Sequence, residues 1–366
     1  MSEKTYTHIV GARPQFIKLD PVIRAMSEQG LTSRIVHTGQ HYDRAMSQSF
    51  FDDLGIPAPN INLEVGSGNH GAQTAKMLVA LEREFIDHRP HIVVIYGDTN
   101  STLAAAIAAA KLNIPIAHVE AGIRANDFRM PEEINRVAAD RLSNLLFAPS
   151  QGSSDQLQHE GVDTENIHIV GDVMYDVAIR FRERAKNESR ILEKEKLQKN
   201  GYVLATIHRA ENTDDQETLR ILIEALNDVA KSIPVILPLH PRTLAALKRF
   251  DLETTARKSL QLIEPINYLD MAHLTANARL VASDSGGVPK EAYFHNVNSV
   301  ILREDALWVE LVELSWAQLA PPTSVFSVST IIKNCLDAPR GQDAYPYGKG
   351  DAAPKIASAL KNWRNE

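Results

Sequence analysis

The sequence predicts an α/β protein made of two doubly wound, Rossmann-like domains that face a central cleft. First, continuous apolar runs recur along the chain, such as HIVVIYGD at 91–98 and RLVASD at 279–284. Such runs are typical of strands buried on both faces of a parallel sheet. Second, helical patterns alternate with the runs, which is the signature of strand–helix–strand units. Third, the alternation restarts after the charged segment 180–201, which we interpret as a helical connection between domains.

Length and composition limit the class of protein. A chain of 366 residues is long enough for two domains, and its 44% hydrophobic and 23% charged residues indicate a globular protein. The net charge of −7 gives no reason to expect a nucleic-acid partner. Cys335 is the single cysteine, which excludes a disulfide framework. Without a signal-peptide core or a membrane-spanning run, we expect a cytoplasmic protein with no membrane partner.

The first strand and helix contain a candidate anion site. The segment THIVGARPQFIK (7–18) is typical of a strand, a tight turn at Gly11 and a helix that opens near Pro14. Arg13 and Lys18 flank the helix start, where backbone N–H groups and two cations can hold an anion. The alternative is a helix start whose basic residues are only solvated.

The second strand, SRIVHTGQHYD (33–43), ends in polar residues that include Gln40 and His41. His37 and His41 have the spacing of a helical metal pair. Because Gly39 lies between them in a loop, we do not expect a zinc site, and we expect no metal elsewhere.

The segment GSGNHG at 66–71 matches the dinucleotide pattern G-x-G-x-x-G. The run before it is short, and no acidic residue ends a strand about 20 residues later. We therefore expect a loop that enters a helix, and no nicotinamide or other cofactor.

Acidic residues end two neighbouring strands of the first domain. The strand 91–98 ends at Asp98, an alanine-rich helix follows, and the strand IPIAHVE ends at Glu120. In such a crossover both acids lie at the carboxyl edge of the sheet, where open α/β sheets bind ligands. The pair Glu132–Glu133 follows Pro131 in the first turn of a further helix. Asp98, Glu120 and Glu132 are therefore expected to converge on one cleft.

A purely structural interpretation of these acids exists. Asp98 and Glu132 could simply favour the dipoles of the helices that they begin. Buried strands rarely end in acids without a purpose, however, and three such acids together favour catalysis.

The second half predicts a nucleotide-diphosphate site. Its strands end at His208, at His240 and at Asp284, and a single capped helix is predicted over 210–226. After Asp284, the glycines of Ser285-Gly286-Gly287 would let a phosphate reach the backbone N–H groups of a helix start. Glu291, one turn further, could accept ribose hydroxyls. The alternative is a turn of small residues followed by an exposed glutamate.

These elements predict the division into domains. Residues 1–172 form an N-terminal domain with the acids, and residues 173–351 form a C-terminal domain that binds the nucleotide. The final helix, 352–366, is expected to pack back on the first domain, with the ligand between the two.

Ordered motifs over essentially the whole chain resemble the non-hydrolysing UDP-N-acetylglucosamine 2-epimerase family. The motifs are Gly11-Ala12-Arg13-Pro14, His37-Thr38-Gly39-Gln40-His41, Gly97-Asp98-Thr99-Asn100-Ser101, His118-Val119-Glu120-Ala121-Gly122, Pro131-Glu132-Glu133-Ile134-Asn135-Arg136, His208-Arg209-Ala210-Glu211-Asn212, His240-Pro241-Arg242 and Ser285-Gly286-Gly287. The resemblance implies a fold of the glycosyltransferase-B type, inversion of C2 to give UDP-N-acetylmannosamine, and a homodimer. It implies neither a metal nor a cofactor.

The resemblance also implies residue roles. Proton transfer and electrostatic support are implied for Asp98, Glu120 and Glu132, and stabilisation of the departing diphosphate for His208. Substrate or UDP binding is implied for Arg13, Lys18, His240, Arg242, Ser285, Gly286, Gly287 and Glu291. A regulatory UDP-sugar site is implied for Gln40, His41, Arg136 and Arg209.

Within the family, the segments 13–18, 308–312 and 347–350 resemble a subgroup that acts on UDP-2,3-diacetamido-2,3-dideoxyglucuronic acid. Two departures stand out, because Ala306-Leu307 occupies the place of the usual Thr-Glu, and Val297-Asn298-Ser299 that of Val-Pro-Cys. Loss of a hydroxyl and a carboxylate near the nucleotide would weaken binding. One alternative is therefore a UDP-sugar-binding protein with little turnover. A second, which rests on the shared fold alone, is a retaining glycosyltransferase.

Overall fold

The computed structural model describes residues 4–40 and 55–364, except for the side chain of Arg13. The chain forms two compact units. Unit 1 comprises Met1–Val177 and Tyr345–Glu366, and unit 2 comprises Ala178–Ala344. The predicted fold class is confirmed, because each unit is a parallel sheet flanked by helices. Within the described ranges no helix has the length and apolar content needed to cross a membrane.

The strands of both sheets are short, and every described pairing is parallel. In chain order they are β1 Thr5–Val10, β2 Thr32–His37, β3 Ile61–Asn62, β4 Ile92–Tyr96, β5 Ile116–Val119, β6 Leu145–Ala148, β7 Ile167–Ile169, β8 Val203–Thr206, β9 Val235–Pro238, β10 Gln261–Ile263, β11 Leu280–Ser283, β12 Ser299–Ile301 and β13 Ala317–Leu319. Among the described residues, the strand order in unit 1 is β3-β2-β1-β4-β5-β6-β7 and in unit 2 β10-β9-β8-β11-β12-β13.

Helices connect successive strands. In chain order the described α-helices are α1 Arg13–Glu28, α2 His70–Asp87, α3 Asn100–Lys111, α4 Pro131–Leu142, α5 Gln151–His159, α6 Val173–Glu188, α7 Ile191–Lys194, α8 Ala210–Thr213, α9 Gln216–Val229, α10 Pro241–Arg249, α11 Glu253–Ala256, α12 Tyr268–Asn277, α13 Val288–Phe294, α14 Val309–Glu313, α15 Val325–Asp337 and α16 Ala352–Asn362. A short 3₁₀ helix, Thr164–Asn166, precedes β7.

The crossover from β4 through α3 to β5 sets the geometry of unit 1. β4 is the apolar run IVVIY, which is buried throughout, and α3 is rich in alanine. Small side chains let α3 pack closely against both α2 and α4. Tyr96 and Val119 are register partners at the ends of β4 and β5. The turns that follow these two strands are therefore neighbours, as predicted for Asp98 and Glu120.

The centre of unit 2 brings two further turns together. Ser283 at the end of β11 is the register partner of Thr206 at the end of β8. The residues that follow, Asp284 and His208, therefore lie at the same edge of the sheet.

The prediction of a single helix over 210–226 is wrong, because the segment forms the separate helices α8 and α9. The carboxylate of Asp215 accepts a hydrogen bond from the backbone N–H of Thr218 at 2.8 Å and caps α9. This capping arrangement requires an extended backbone at Asp215, which a continuous helix cannot supply.

The C-terminal segment completes unit 1. Helix α16 packs against α1, with Ile356 and Leu360 fully buried. The hydroxyl of Tyr6 donates to the carbonyl of Leu360 at 3.2 Å. At the other end of α16, the Asp176 carboxylate accepts the backbone N–H groups of Ala352 and Ala353.

Candidate active site

Asp98 follows β4 and is held by helix α4. The Arg136 guanidinium donates to Asp98 Oδ2 through Nη2 at 2.6 Å and through Nε at 3.0 Å. The side-chain amide of Asn135 donates to the backbone carbonyl of Asp98 at 2.8 Å. The Asp98 side chain remains one-third exposed. It is therefore an accessible carboxylate with a fixed cationic partner.

The two glutamates at the start of α4 differ in their exposure to solvent. Glu133 is 1% exposed, and its carboxylate accepts the backbone N–H groups of Ala125 and Asn126 and the Nη1 group of Arg136. Glu132, in contrast, is exposed. Glu133 is therefore a structural acid that fixes the loop before α4, whereas Glu132 is open to solvent and to a ligand.

Glu120 follows β5 with a backbone that few non-glycine residues adopt. Its φ is +72°, in the left-handed region, which costs on the order of 1–3 kcal/mol and persists only where the surrounding structure fixes it. Its carboxylate forms an ion pair with Lys18 of α1, and both side chains are only about one-tenth exposed. Glu120 Oε2 lies 3.3 Å from the position that a Cβ on Gly97 would occupy. The fold therefore places this carboxylate directly over the turn that leads to Asp98.

A buried polar network that we did not predict lies beside these turns. His118 of β5 is fully buried between the carbonyl of Gly97 and the carboxylate of Asp140. The guanidinium of Arg124 also pairs with Asp140, at 2.7 Å. Burial opposes ionisation of Asp140, but His118 and Arg124 outweigh it and hold the pKa of this carboxyl below its ordinary value. The His118-Val119-Glu120 motif indicates the position of His118. It does not indicate Asp140, which is distant in sequence.

In unit 2, Asp284 organises the loop after β8. This carboxylate is fully buried and accepts the backbone N–H groups of His208 and Arg209 at 2.9–3.0 Å. The Asn212 side-chain amide donates to it at 3.1 Å, and the His208 Nδ1 atom lies 3.4 Å from Oδ1. The sequence predicts the strand end at Asp284 but no role for its side chain. The structure gives it one, because it orients His208.

The charge state of His208 follows from its surroundings. Burial lowers the pKa of its imidazole below the ordinary value, and Arg209, His240 and Arg242 act in the same direction, whereas Asp284 raises this pKa. The imidazole is therefore mainly neutral at neutral pH. A bound anion would favour its protonation, which suits a group that stabilises a departing phosphate.

His240 and Arg242 are both exposed at the start of α10. His240 Nδ1 accepts the backbone N–H of Arg242 at 3.2 Å and caps the helix. The Arg242 guanidinium donates to Asp214 at 2.7 Å and to the hydroxyl of Thr213 at 2.9 Å. The rings of His240 and His208 are 5.4 Å apart, so that the structure brings these two predicted residues together.

The turn Ser285-Gly286-Gly287 lies beside Arg209. A Cβ on Gly286 would be 3.1 Å from Arg209 Nη2 and 3.7 Å from Leu307 Cδ2. Arg209 Nε is buried and lacks a hydrogen-bond partner among the described residues. The indole of Trp308 donates to the carbonyl of Gly286 at 2.7 Å. The turn therefore presents backbone and a guanidinium together, with the apolar Leu307 as its neighbour.

The remaining predicted residues fall in different places. The amide oxygen of Gln40 accepts from the backbone N–H and the hydroxyl of Ser101 at 3.0 and 2.7 Å. Glu291 lies in α13. Burial raises the pKa of Tyr268 well above its ordinary value, and the charge of Glu291 acts in the same direction. His41 and the side chain of Arg13 lie outside the described residues. Among those described, no group of three or more His, Cys, Asp or Glu could hold a metal ion.

Comparisons with known proteins agree on one family. Residues 24–361 match the family model described as UDP-N-acetylglucosamine 2-epimerase. The UDP-2,3-diacetamido-2,3-dideoxy-D-glucuronate 2-epimerase of Pseudomonas aeruginosa is 44% identical over 356 residues, which are 96% of this chain and 98% of the relative. A UDP-N-acetylglucosamine 2-epimerase homologue of Methanococcus maripaludis is 44% identical over 97% of this chain and 98% of its own. The crystal structure of Methanocaldococcus jannaschii UDP-GlcNAc 2-epimerase, in complex with UDP-GlcNAc and UDP, superposes with a TM-score of 0.88 at 36% identity, covering 98% of this chain and 100% of that one.

Proposed function

The chain belongs to the UDP-N-acetylglucosamine 2-epimerase family, and from that premise we propose that it inverts C2 of UDP-N-acetylglucosamine to give UDP-N-acetylmannosamine. The reaction proceeds by elimination and re-addition of UDP and supplies a precursor for surface polysaccharide. The fold is of the glycosyltransferase-B type, as in the epimerase structures that it matches. The single observation that supports this function best is the pair of ion-paired carboxylates, Asp98 and Glu120, at the ends of adjacent strands.

The chemistry explains why several acids are needed. The hydrogen on C2 of a pyranosyl diphosphate is not next to a carbonyl, so that a carboxylate alone cannot remove it. When the C1–O bond to UDP breaks first, cationic character at C1 makes this hydrogen acidic. Elimination then gives a 2-acetamidoglucal and UDP, and protonation of C2 on the opposite face with re-addition of UDP completes the inversion. Acid–base groups are required for both faces of C2.

The acids of unit 1 have properties that suit this task. Asp98 and Glu120 each have a cationic partner, Arg136 and Lys18 respectively, which holds the carboxylate in a fixed position. Glu132 is exposed at the start of α4 and provides a third proton-carrying group.

The residues of unit 2 suit the departing diphosphate. His208 is oriented by Asp284, and Arg209 has a buried Nε that lacks a partner among the described residues. Donors held in place before the reaction stabilise charge as it develops on a leaving group. We assign Ser285, Gly286, Gly287 and Glu291 to the nucleotide, with Lys18, His240, Arg242 and Arg13 as further ligands of the UDP-sugar.

A second substrate has a specific observation in its favour. The Pseudomonas aeruginosa relative, at 44% identity, is an epimerase of UDP-2,3-diacetamido-2,3-dideoxy-D-glucuronate. The same inversion at C2 would apply to that sugar. The catalytically weak UDP-sugar binder is the alternative that Leu307 favours, because an apolar side chain lies beside Gly286 where the family usually has a carboxylate nearby.

Exchange of hydrogen for deuterium at C2 tests the proposal. The protein is incubated in deuterated water with each of the two UDP-sugars in parallel, and products are analysed by mass spectrometry and proton NMR. An epimerase places deuterium at C2 of its substrate and gives a second epimer. Binding of UDP without exchange would identify the weak binder, and transfer of the sugar without deuterium would identify a glycosyltransferase.

We further propose that the enzyme acts as a homodimer in the cytoplasm, as the resemblance implies. Light scattering coupled to size-exclusion chromatography measures the mass in solution. A mass of about 41 kDa, that of one 40.6 kDa chain, would contradict the dimer.

A further inference from the structure

Both ring nitrogens of His118 face hydrogen-bond acceptors. His118 is fully buried in β5. Its Nε2 lies 2.8 Å from the carbonyl oxygen of Gly97, and its Nδ1 lies 2.6 Å from Asp140 Oδ1. A carbonyl oxygen accepts and never donates, and an ionised carboxylate does the same. With Asp140 ionised, both nitrogens face acceptors only, and an imidazolium satisfies both contacts.

The surroundings of Asp140 support its ionised form. Arg124 Nη1 lies 2.7 Å from Asp140 Oδ2, and the backbone N–H of Gly122 donates to the same oxygen at 3.1 Å. A guanidinium and a backbone donor on this oxygen favour the ionised carboxylate, so that the proton shared between Oδ1 and Nδ1 belongs to the imidazole. Arg124 also pairs with Glu160 at 2.8 Å, so that one arginine faces two carboxylates and an imidazolium at His118 would balance the second negative charge.

The network connects the two turns that carry the acids. His118 binds the carbonyl of Gly97, the residue before Asp98, and Asp140 binds the N–H of Gly122, two residues after Glu120. Gly97 and Glu120 both have a left-handed backbone, with φ of +58° and +72°. Glycine adopts this conformation freely, but in Glu120 it persists only where the surrounding structure fixes it.

We propose that His118 is a positioning residue, held as an imidazolium by Asp140, that locks the Asp98 and Glu120 turns in register with each other. The positioning role rests on the proposed function, since it matters for catalysis only if these acids transfer protons. The two-proton state of His118 does not rest on that function. It is a property of the folded protein.

NMR of the intact protein with ¹⁵N-labelled histidine tests the proton count. In the wild-type protein at neutral pH, both nitrogens of His118 are expected to give shifts of the protonated type, and His118→Gln identifies the signals by their loss. In Asp140→Asn the ring is expected to lose the Nδ1 proton and to keep the Nε2 proton on the Gly97 carbonyl. An unprotonated nitrogen of His118 in the wild-type spectrum would overturn the inference, whether or not the variant folds.

Steady-state kinetics with the UDP-sugar tests the positioning. For Asp140→Asn we expect kcat to fall about 10- to 100-fold, because small displacements of catalytic groups have effects of this size. KM is expected to change little, since the proposed nucleotide ligands are not part of the network. The matched control is Glu84→Gln, which removes another buried carboxylate of unit 1 from its partner Arg34, at 2.8 Å. It is expected to leave kcat and the His118 spectrum unchanged.

The outcomes separate the two claims. An equal loss of kcat in both variants, or a change confined to KM, would overturn the positioning role. Absence of C2 exchange in the wild-type enzyme would overturn the proposed function instead, while the His118 spectrum would still decide the two-proton state.

Discussion

At the scale of single residues, the acids of unit 1 differ in what surrounds them. Asp98 and Glu120 are each paired with a cation, Glu133 is buried among donors, and Glu132 is exposed. These differences separate acids that can exchange protons with a ligand from acids that stabilise the fold.

The two adjacent glutamates of α4 provide a direct test. Glu132→Gln is expected to lower kcat by about 100- to 10,000-fold, the range of general acid–base catalysis, without a change in stability. Glu133→Gln is expected to destabilise unit 1 by about 1–3 kcal/mol, because a neutral amide replaces a buried charge that accepts three donors. Activity assays and hydrogen exchange of the 120–136 peptides measure the two effects. The same response from both variants would contradict the assignment.

The contact between Asp284 and His208 predicts that removing the Asp284 charge will change the pH dependence of kcat/KM. Asp284 raises the His208 pKa against the larger effect of burial, so that Asp284→Asn should lower this pKa further. The limb of the kcat/KM profile that reports His208 should then move to lower pH, with a loss of activity at neutral pH. Asp215→Asn, which neutralises a helix-capping carboxylate elsewhere in unit 2, is the control and should leave the profile in place. A limb that does not move in Asp284→Asn would show that His208 does not titrate in catalysis.

The positions of these residues followed from the sequence, but their partners did not. Apolar runs ending in Asp98 and Glu120 were enough to place both acids at one sheet edge. The contact between Arg136 and Asp98 could not be predicted, because the packing of α4 brings the guanidinium to the carboxylate. The resemblance had assigned Arg136 to a regulatory site, and that role remains a prediction.

At the scale of elements, the strand–helix alternation was sufficient to predict the sheets. Continuous apolar strands and the alanine-rich α3 have patterns that local sequence determines. The break between α8 and α9 was missed, since Asp215 acts as a cap only when the backbone around it is extended. The left-handed backbone of Glu120 was also invisible, because the tertiary packing of the following turn imposes it.

The turn after β5 predicts that alanine will destabilise the protein more at Gly122 than at Gly161. Gly122 has φ of +83°, and a Cβ there would lie 2.3 Å from the carbonyl oxygen of Ser153 in α5. Gly161 has a similar φ of +81°, with nothing within 4 Å of an added Cβ. Gly161→Ala should therefore cost about 1–2 kcal/mol for its backbone alone. Gly122→Ala should cost more than about 3 kcal/mol and should lower kcat, since the Glu120 turn must move.

Hydrogen exchange of unit 1 peptides and steady-state activity measure both variants. Equal costs for Gly122→Ala and Gly161→Ala would show that the Ser153 contact does not restrain the turn.

At the scale of the whole molecule, unit 1 is formed from two separate parts of the chain. The segment from Tyr345 returns after unit 2, and α16 is attached at one end by the Asp176 carboxylate. Burial raises the pKa of Asp176 to about 6, although the N–H groups of Ala353 and Ala352 oppose this effect. The attachment of α16 should therefore depend on pH.

The sign of this dependence follows from linkage. Because the folded-state pKa, about 6, is above the ordinary value of 3.8, the fold favours the protonated carboxyl. This contribution to stability is complete below pH 3.8 and is lost as the pH rises through 6. Hydrogen exchange of α16, corrected for the intrinsic rate, should show stronger protection at pH 5 than at pH 7.5. Asp176→Asn should abolish the difference, and a difference that persists in this variant would assign it to another group.

The interruption of unit 1 also affects its biosynthesis. During translation, the first 177 residues leave the ribosome with the surface of α1 that α16 later covers still open to water. All of unit 2, residues 178–344, emerges and can fold before the residues that close unit 1 have been made. The nascent chain therefore spends the synthesis of an entire second domain with an incomplete first one, whose α1 face stays uncovered for that time.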